Sequence, residues 1–366
     1  MTEKLPGRGV GDGPLGDGPI DSGPLGSGPP VGDGPLGSGS PIGRGAEFLG
    51  EPGQQSGFTT GAVTPGGDGG PPEPVPTGEF AVAARSQWQL VARRFRQHKL
   101  AVVSLVVLVL VVLFAFVGPL VWRYGPNDFT EDFSVPPSLK HPFGTDSNGA
   151  DHMAQVMAGT QLSLKIAFTV SVTATAFGAV YGAVSGFYRG ITDTLMMRLV
   201  DLILTIPALA IGALLGKRFG NNWVLLAAVL AALLWTGAAR VVRGQVLSVR
   251  EKEFVEAARA LGATDRRIIF RHIIPNVAGP IIVLFTLMVA GAVLIETALS
   301  YLGFGVQFPD ISLGSLITSG ETAASGGRDW LFYFPGLFII LIALTVNFIG
   351  DGLRDALDPT QTKVRA

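Results

Sequence analysis

The sequence predicts an all-α membrane protein with six transmembrane helices, preceded by a long tail rich in glycine and proline. Hydrophobic residues make up 48% of the 366 positions and charged residues only 15%, whereas a soluble domain carries about 25% charged residues. The hydrophobic residues gather in six runs of roughly the twenty residues that a helix needs to cross a bilayer. The absence of cysteine excludes disulfide frameworks, thiol nucleophiles and cysteine-based metal sites.

Residues 1–79 are expected to form a disordered cytoplasmic tail. A GPLG unit recurs there with irregular spacing, so the strict three-residue glycine period of a collagen helix is missing. The segment has too few aromatic and branched residues to offset the entropy of ordering it. A solvated linker is the simplest interpretation, and a docking or tethering role is the alternative. No apolar run precedes Leu100, so a cleaved signal peptide is not expected.

Residues 80–99 are expected to form a basic helix at the membrane surface. Trp88, Val91, Ala92 and Phe95 share one helical face, and basic side chains surround it. This pattern is typical of a helix that lies along a bilayer interface. An ordinary anchoring flank for the first span is the alternative.

The six spans follow in order. They are predicted at Leu100 to Val121, Leu162 to Tyr188, Leu195 to Leu215, Trp223 to Val241, Val277 to Ala298 and Leu331 to Ile349. Glycine and proline pairs at 118–119, 279–280 and 335–336 predict kinks, which are tolerated in lipid where neighbouring groups satisfy the freed backbone. On the second span, Gly178, Gly182 and Gly186 have the spacing that lets another helix approach closely.

The distribution of positive charge predicts that both termini are cytoplasmic. With that orientation the inner segments beyond the tail hold eighteen lysines and arginines and the outer segments six, as the positive-inside rule requires. The predicted organisation is then a first transmembrane helix at 100–122, an extracytoplasmic segment at 123–161, a membrane core at 162–350 and a cytoplasmic C-terminus at 351–366.

The densest cluster of arginines lies between the fourth and fifth spans, in a loop at 242–276. Eight basic residues occur between Arg240 and Arg271, and each would cost about 2.5–3.5 kcal/mol at mid-bilayer, so the loop must lie outside the lipid. Phe254, Ala257, Ala258 and Leu261 share one face of a predicted helix. Gly262 then ends that helix, and a second helix follows until Pro275. Helix, bend and helix could form a docking surface, and a solvated basic face is the alternative.

The residues of this loop resemble the EAA motif of binding-protein-dependent ABC permeases. The stretch "EAARALGATDRRIIFRHIIPN" differs from the generic motif at His272 and Ile274, and histidine there is familiar in the peptide branch. The blocks "HPFGTDSNGAD", "ALSYLGFGVQ" and "FPGLFIILIALTVNFIGDGLRDALDP" are similar to those of the second, C-type permease subunit of dipeptide, oligopeptide and nickel importers. Departures at Ala150, Gln155, Gln161 and Leu313 concern predicted outer segments. The resemblance implies that the following residues couple to an ATPase: Glu256, Ala257, Ala258, Arg259, Ala260, Gly262 and Pro275.

The resemblance also implies that the chain works in an assembly with other proteins. It implies the type I ABC importer fold, a bacterial plasma membrane location, a second homologous permease, two ABC ATPase subunits and an extracytoplasmic substrate-binding protein. ATP and magnesium are expected in the ATPase subunits and no cofactor in this chain, and no nucleic-acid partner is expected. "GALLGKR" at 212–218 lacks the spacing of a phosphate loop.

Polar residues near the spans leave several interpretations open. Glu296 in the fifth span either lines the translocation path or bonds to a neighbouring helix, and Asn347 in the last span has the same two interpretations. Arg198 and Asp201 are expected to pair with each other. Asp146, Asp151 and His152 contain metal-binding groups, but a turn-rich loop would show the same residues, and no metal site is predicted.

Two other functions compete with import of peptides by an ABC transporter. An ABC importer of nickel or another small solute would share every feature above. An ion-coupled secondary transporter would work alone and would need acidic residues beside broken helices near the midplane, for which Glu296 is the one strong candidate. The spans carry no catalytic motif, so an enzyme is not expected.

Overall fold

The computed structural model describes residues 87–219 and 222–357. The predicted tail at 1–79 lies outside the described residues, as does the predicted C-terminal segment beyond 357. Within the described part the regular elements are helices, and two isolated β-bridges pair Phe129 with Ala150 and Thr145 with Asp151. The all-helical prediction is confirmed for this part of the chain.

Thirteen α-helices and one π-helical turn occur in the described ranges. They are α1 Gln87–Gln97, α2 Lys99–Phe116, α3 Gly118–Val121, α4 His152–Tyr188, α5 Gly190–Thr205, α6 Ala208–Phe219, α7 Trp223–Val249, α8 Glu253–Ala260, α9 Asp265–Arg267, the π-helical turn Ile268–Ile273, α10 Ile274–Asn276, α11 Ala278–Tyr301, α12 Leu313–Ala324 and α13 Trp330–Leu357.

Five of these helices are long and apolar enough to cross a membrane, namely α2, α4, α7, α11 and α13. A sixth candidate span consists of α5 and α6, which are bent by 74° where they meet. The sequence predicts one continuous helix there, and this detail is wrong. The break follows from Pro207, because a residue before proline avoids the helical region, and Ile206 has φ −81° and ψ 125°.

The second span is longer than its apolar run. Helix α4 begins ten residues before Leu162 and has 37 residues, a rise of about 55 Å against a hydrocarbon thickness of about 30 Å. Asp151 caps its N-terminus by accepting a hydrogen bond of 2.8 Å from the Ala154 amide. The helix therefore either projects beyond the membrane or crosses it with a tilt.

The predicted kinks have different outcomes. The helix is interrupted at Val117, directly before Gly118 and Pro119. Pro280 instead falls in the first turn of α11, where the missing amide hydrogen has no helical partner to lose. Helix α13 continues through Pro335.

The core is built around the contact between α4 and α7. A Cβ atom at Gly182 would lie 2.3 Å from the Ala239 carbonyl oxygen, and one at Gly178 would lie 2.6 Å from that of Trp235. The close approach predicted from the glycine spacing is confirmed. The main hydrophobic cluster joins these helices to α11 and α13 through Ile166, Leu230, Val293 and Ile342.

Helix α1 packs against α13 near the end of the described chain. A Cβ atom at Gly352 would lie 2.3 Å from the Ala101 side chain and 3.3 Å from the Phe95 ring. His98 separates α1 from α2, and its Nδ1 accepts a hydrogen bond of 3.1 Å from the Ala101 amide. The helix predicted at 80–99 is present from Gln87, while the side chain of Trp88 lies outside the described part.

Candidate functional site

The candidate site is the segment between α7 and α11, residues 250–277, which we call the glycine-bend loop. It contains α8, a bend at Gly262 and a second helical stretch made of α9, the π-helical turn and α10. The predicted order of helix, bend and helix is confirmed. The loop end of the core is defined as the end that carries this segment, and the 123–151 segment before α4 lies at the opposite end.

The bend has the hydrogen-bond pattern of a Schellman motif. The Ala263 amide donates to the Ala258 carbonyl at 3.0 Å, and the Gly262 amide donates to the Arg259 carbonyl at 3.0 Å. This pattern places the residue after the helix in the left-handed region, and Gly262 has φ +77°. The Thr264 hydroxyl then accepts a hydrogen bond of 3.4 Å from the Arg267 amide and caps the second helix. Contacts between residues that are close in the sequence therefore form the bend.

Buried apolar residues fix the loop to the ends of α4 and α7. Val255 and Ala258 of α8 and Ile268, Ile269 and Ile273 of the π-helical turn are buried. They share one hydrophobic cluster. The partners from α4 and α7 in it are Ala179, Ala183, Phe187, Val242 and Val246. A displacement of the loop therefore displaces both helices, because packed interiors transmit strain.

The opposite face of α8 is exposed. Glu256, Ala257 and Ala260 point away from the core, and 88% of the surface of Leu261 is exposed at the tip of the bend. The prediction that Ala258 shares a face with Phe254, Ala257 and Leu261 is wrong, because Ala258 is buried beside Val255. The exposed face of α8 thus carries one carboxylate and two small side chains, with a protruding leucine at its end.

Two arginines of the loop fasten it to the end of α4. The Arg250 guanidinium donates to the Phe187 carbonyl, and the Arg259 guanidinium lies 5.9 Å from the centroid of the Phe187 ring. At the same corner, Arg189 forms an ion pair with Glu251 at 2.7 Å. Part of the arginine cluster is therefore structural.

Two further arginines connect α7 to α5, the first half of the broken pair. Arg243 binds Asp193 through two hydrogen bonds, and Arg240 binds Asp201 at 2.5 Å. The predicted pairing of Arg198 with Asp201 is wrong, since tertiary packing brings Arg240 closer. No single-helix spacing could have indicated these pairs, because 39 and 50 residues separate the partners.

The other three arginines of the glycine-bend loop face the solvent. Arg266, Arg267 and Arg271 are exposed and form no ion pair within the part of the chain that the structure describes. Pro275 is exposed in the first turn of α10. These residues and the exposed face of α8 lie on the same short loop.

Glu296 of α11 is fully buried. Its Oε1 accepts a hydrogen bond of 2.7 Å from Ser300, and its Oε2 accepts one of 3.1 Å from Ser163 of α4. Ser163 also accepts the Leu313 amide at 3.2 Å, which brings the start of α12 into the network. The accessible surface of Glu296 is 0%. This geometry therefore supports bonding of Glu296 to neighbouring helices rather than a position on the translocation path. Asn347 is half-buried on α13 and forms no side-chain hydrogen bond among the described residues.

At the opposite end, His141 joins two carboxylates, Asp132 and Asp151, whose proximity no sequence pattern indicates. Its Nδ1 lies 2.7 Å from Asp151 and its Nε2 lies 3.2 Å from Asp132, while its ring stacks on Tyr124 at 4.8 Å. Hydrogen bonds from Lys140, and then from His141, lower the pKa of Asp132 below its usual value. The network attaches the 123–151 segment to the start of α4.

The residues with metal-binding groups in this segment and at the start of α4 form hydrogen bonds within the chain. Asp146 accepts from the amides of Asn148 and Ala150, and Asp151 accepts from Trp122 and caps α4. His152 faces Gln155 at 3.2 Å. Across the described residues, no group of three histidine or carboxylate side chains is placed to hold a metal ion.

Comparisons with known proteins agree over most of the chain. Residues 178–363 match the family described as binding-protein-dependent transport system inner membrane component, and residues 86–140 match the N-terminal TM domain of oligopeptide transport permease C. The chain is 42% identical over 292 residues to the oligopeptide transport system permease protein OppC of Mycobacterium tuberculosis, which covers 78% of this chain and 98% of the relative.

Two other bacteria have similar proteins of the same description. The OppC protein of Escherichia coli is 42% identical over 284 residues, covering 77% of this chain and 94% of the relative. That of Bacillus subtilis is 38% identical over 281 residues, covering 76% of this chain and 91% of the relative.

Proposed function

The chain belongs to the family of binding-protein-dependent transport system inner membrane components, and from this we propose that it is the permease subunit of an ATP-driven ABC importer of oligopeptides. The named relatives transport oligopeptides, and they match at 38–42% identity over most of their length. In this role the chain is a multi-pass membrane protein and a transport component, without an enzymatic reaction of its own.

The observation that carries the mechanism is the glycine-bend loop. Its inner face is packed on α4 and α7, whereas Glu256, Ala257 and Leu261 remain exposed. We propose that an ATPase subunit grips this exposed face, so that closure of the ATPases on ATP moves the loop as a rigid body. Because the buried face is continuous with two spans, that movement would tilt α4 and α7 and open the path alternately to either side.

The proposed coupling residues differ in their roles. The Glu256 carboxylate offers a charge-assisted hydrogen bond to a basic side chain of the ATPase. Ala257 and Ala260 permit close approach, and Gly262 allows the left-handed bend. Ala258 contributes from the buried side, Arg259 holds the loop on Phe187, and Pro275 lies in the first turn of α10.

The orientation follows from the same assignment. If the loop meets an ATPase, it lies in the cytoplasm, and both termini lie there too when six spans are present. The excess of positive charge at the loop end supports this orientation. The tail at 1–79 would then be cytoplasmic, and the 123–151 segment would face the substrate-binding protein in a bacterial plasma membrane.

The proposed complex contains a second homologous permease, two ABC ATPase subunits and an extracytoplasmic binding protein. The translocation path would run between the two permeases, with each contributing half of it. ATP and Mg²⁺ would be bound by the ATPase subunits. The ion-coupled alternative loses its main support, because Glu296 is enclosed by serine hydroxyl groups and has no accessible surface.

The test is to purify the full chain from its native membrane in mild detergent, identify its partners by mass spectrometry and reconstitute what is recovered in liposomes. We expect a second permease, ATPases with Walker motifs, and uptake of a labelled oligopeptide that requires ATP. Recovery of the chain alone, moving solute on an ion gradient without ATP, would contradict the proposal.

A further inference from the structure

A groove opens at the loop end of the core between α1, α7, α11 and α13. Its volume is about 750 Å³. Leu284 and Leu287 of α11 and Val241 of α7 line one wall, and 45% of the surface of Leu287 and 44% of that of Val241 are exposed. The apolar wall of the groove is therefore exposed at the surface of the chain.

The rim of the groove is polar. Gln245 of α7, Asn276 of α10 and Arg354 of α13 contribute to its lining. The Asn276 side-chain nitrogen donates to the His272 carbonyl at 2.6 Å, which leaves its amide oxygen at the rim. Arg354 is exposed and has no ion pair within the described ranges. The rim therefore offers one unpaired positive charge and amide groups beside it.

The dimensions of the groove match one leaflet of a bilayer. From Ala278, where α11 begins, to Leu287 is nine residues, a rise of about 14 Å along the helix. Half of the hydrocarbon thickness is about 15 Å. The rim thus lies at the level of lipid headgroups when the wall lies at the level of one acyl chain.

We propose that this groove binds an anionic phospholipid, with its phosphate at Arg354 and an acyl chain along Leu284 and Leu287. A guanidinium with neighbouring amides matches a phosphate diester, and basic pockets between transmembrane helices on the cytoplasmic side bind anionic headgroups. A peptide segment fits less well, because the wall offers no partner for its backbone N–H and C=O groups. The choice of an anionic lipid rests on the proposed orientation, which places the groove in the cytoplasmic leaflet.

The first measurement counts phospholipids that remain on the purified complex by native mass spectrometry. We expect the wild type to retain a phospholipid and Leu287→Trp, which fills the groove, to lose it. Leu110→Trp is the matched control, since Leu110 is 59% exposed on α2 and lies outside the groove, and it should behave as the wild type. Equal retention by Leu287→Trp and the wild type would overturn the proposal.

The second measurement titrates the delipidated complex with phosphatidylglycerol and with phosphatidylcholine and follows its thermal stability. Arg354→Gln should weaken the response to phosphatidylglycerol about fivefold and leave that to phosphatidylcholine unchanged. Arg198→Gln, an exposed arginine outside the groove, is the control. Equal responses to both lipids in the wild type would remove the anionic site.

Two results separate this proposal from the proposed function. If the Leu287→Trp variant is recovered without the second permease but with as much bound phospholipid as the wild type, the groove is a subunit interface and the lipid proposal is wrong. If no ATPase is recovered but phosphatidylglycerol binding depends on Arg354, the lipid site stands and the importer proposal fails. Arg354→Gln alters an exposed side chain and should fold normally, so it tests the site even if Leu287→Trp misfolds.

Discussion

The Arg243 guanidinium holds the Asp193 carboxylate through two hydrogen bonds, from Nε to Oδ1 at 2.5 Å and from Nη2 to Oδ2 at 2.6 Å. Ser185 donates a third hydrogen bond to the same carboxylate at 2.5 Å. Three helices, α4, α5 and α7, therefore meet at one acidic side chain near the loop. Two-point binding by a planar guanidinium fixes orientation as well as distance.

Arg243→Lys should lower the thermal stability of the purified protein. A lysine keeps the positive charge but cannot reproduce the paired geometry, so we expect a loss of about 1–2 kcal/mol in the free energy of unfolding. Arg198→Lys, at an exposed position, should leave the melting temperature unchanged. Identical melting curves for the two variants would show that the bidentate contact adds nothing to stability.

Gly262→Ala should destabilise the bend without a steric clash. No atom lies within 4 Å of a Cβ built at Gly262, but its φ is +77°, and the left-handed region costs a non-glycine residue about 1 kcal/mol. Gly244→Ala is the matched control, because Gly244 also has no neighbour within 4 Å but lies in helix α7, where alanine is favoured by up to about 1 kcal/mol. Chemical denaturation should show a lower free energy of unfolding for Gly262→Ala and a higher one for Gly244→Ala.

Glu256→Lys should uncouple ATP hydrolysis from peptide uptake while the chain folds and inserts. Glu256 is exposed, so reversing its charge disturbs the proposed ATPase contact and little else. Glu253→Lys, another exposed position on α8, serves as the control for charge alone. ATPase activity and peptide uptake should be measured together in proteoliposomes, and normal uptake by Glu256→Lys would refute the coupling role.

Glu296→Leu should destabilise the fold, whereas Glu296→Gln should be tolerated. Leucine would leave the hydroxyl groups of Ser163 and Ser300 without their acceptor, at a cost of about 1–3 kcal/mol. Glutamine retains one acceptor and places a donor at the other position. Thermal unfolding checks stability, and peptide uptake by the glutamine variant checks the path. Full stability with abolished uptake in Glu296→Gln would favour a role in transport over a structural one.

The 123–151 segment should loosen at low pH. The pKa of Asp132 is lowered in the folded protein by hydrogen bonds from Lys140 and His141, so its contribution is present above the usual carboxyl pKa and is lost as the pH falls through the lowered value. The protection factors of this segment, which correct the exchange rates for the intrinsic pH dependence of amide exchange, should therefore fall in acid, below about pH 4. Asp132→Asn should weaken that dependence, whereas Glu131→Gln should keep it. Protection factors of the wild type that stay unchanged in acid would contradict this link.

Several features of the loop could be predicted because they depend on neighbouring residues in the sequence. Gly262 after a helical stretch and Thr264 before the next one are local signals, and the structure has the bend between them. The outward direction of Leu261 and the inward direction of Ala258 could not be predicted. That choice depends on where α4 and α7 provide a surface for α8 to cover.

The pairing of charges shows the same limit. The sequence places Arg198 and Asp201 three residues apart, yet Asp201 binds Arg240. It also gives no indication that Asp132, His141 and Asp151 meet, because turns between them set their distances. In both cases the interacting groups come from separate segments, and only folding brings them within hydrogen-bond range.

The sequence by itself determined the helical class, the positions of most apolar spans and the bend of the loop, since hydrophobic runs, charges and glycine act over a few residues. Tertiary structure decided which face of α8 is buried, that Glu296 is enclosed by serines, that Arg243 holds Asp193, and that a groove with an apolar wall and a charged rim lies beside the loop. Those features require surfaces from several helices, and the free energy of burying them together has no counterpart in any local stretch of the chain.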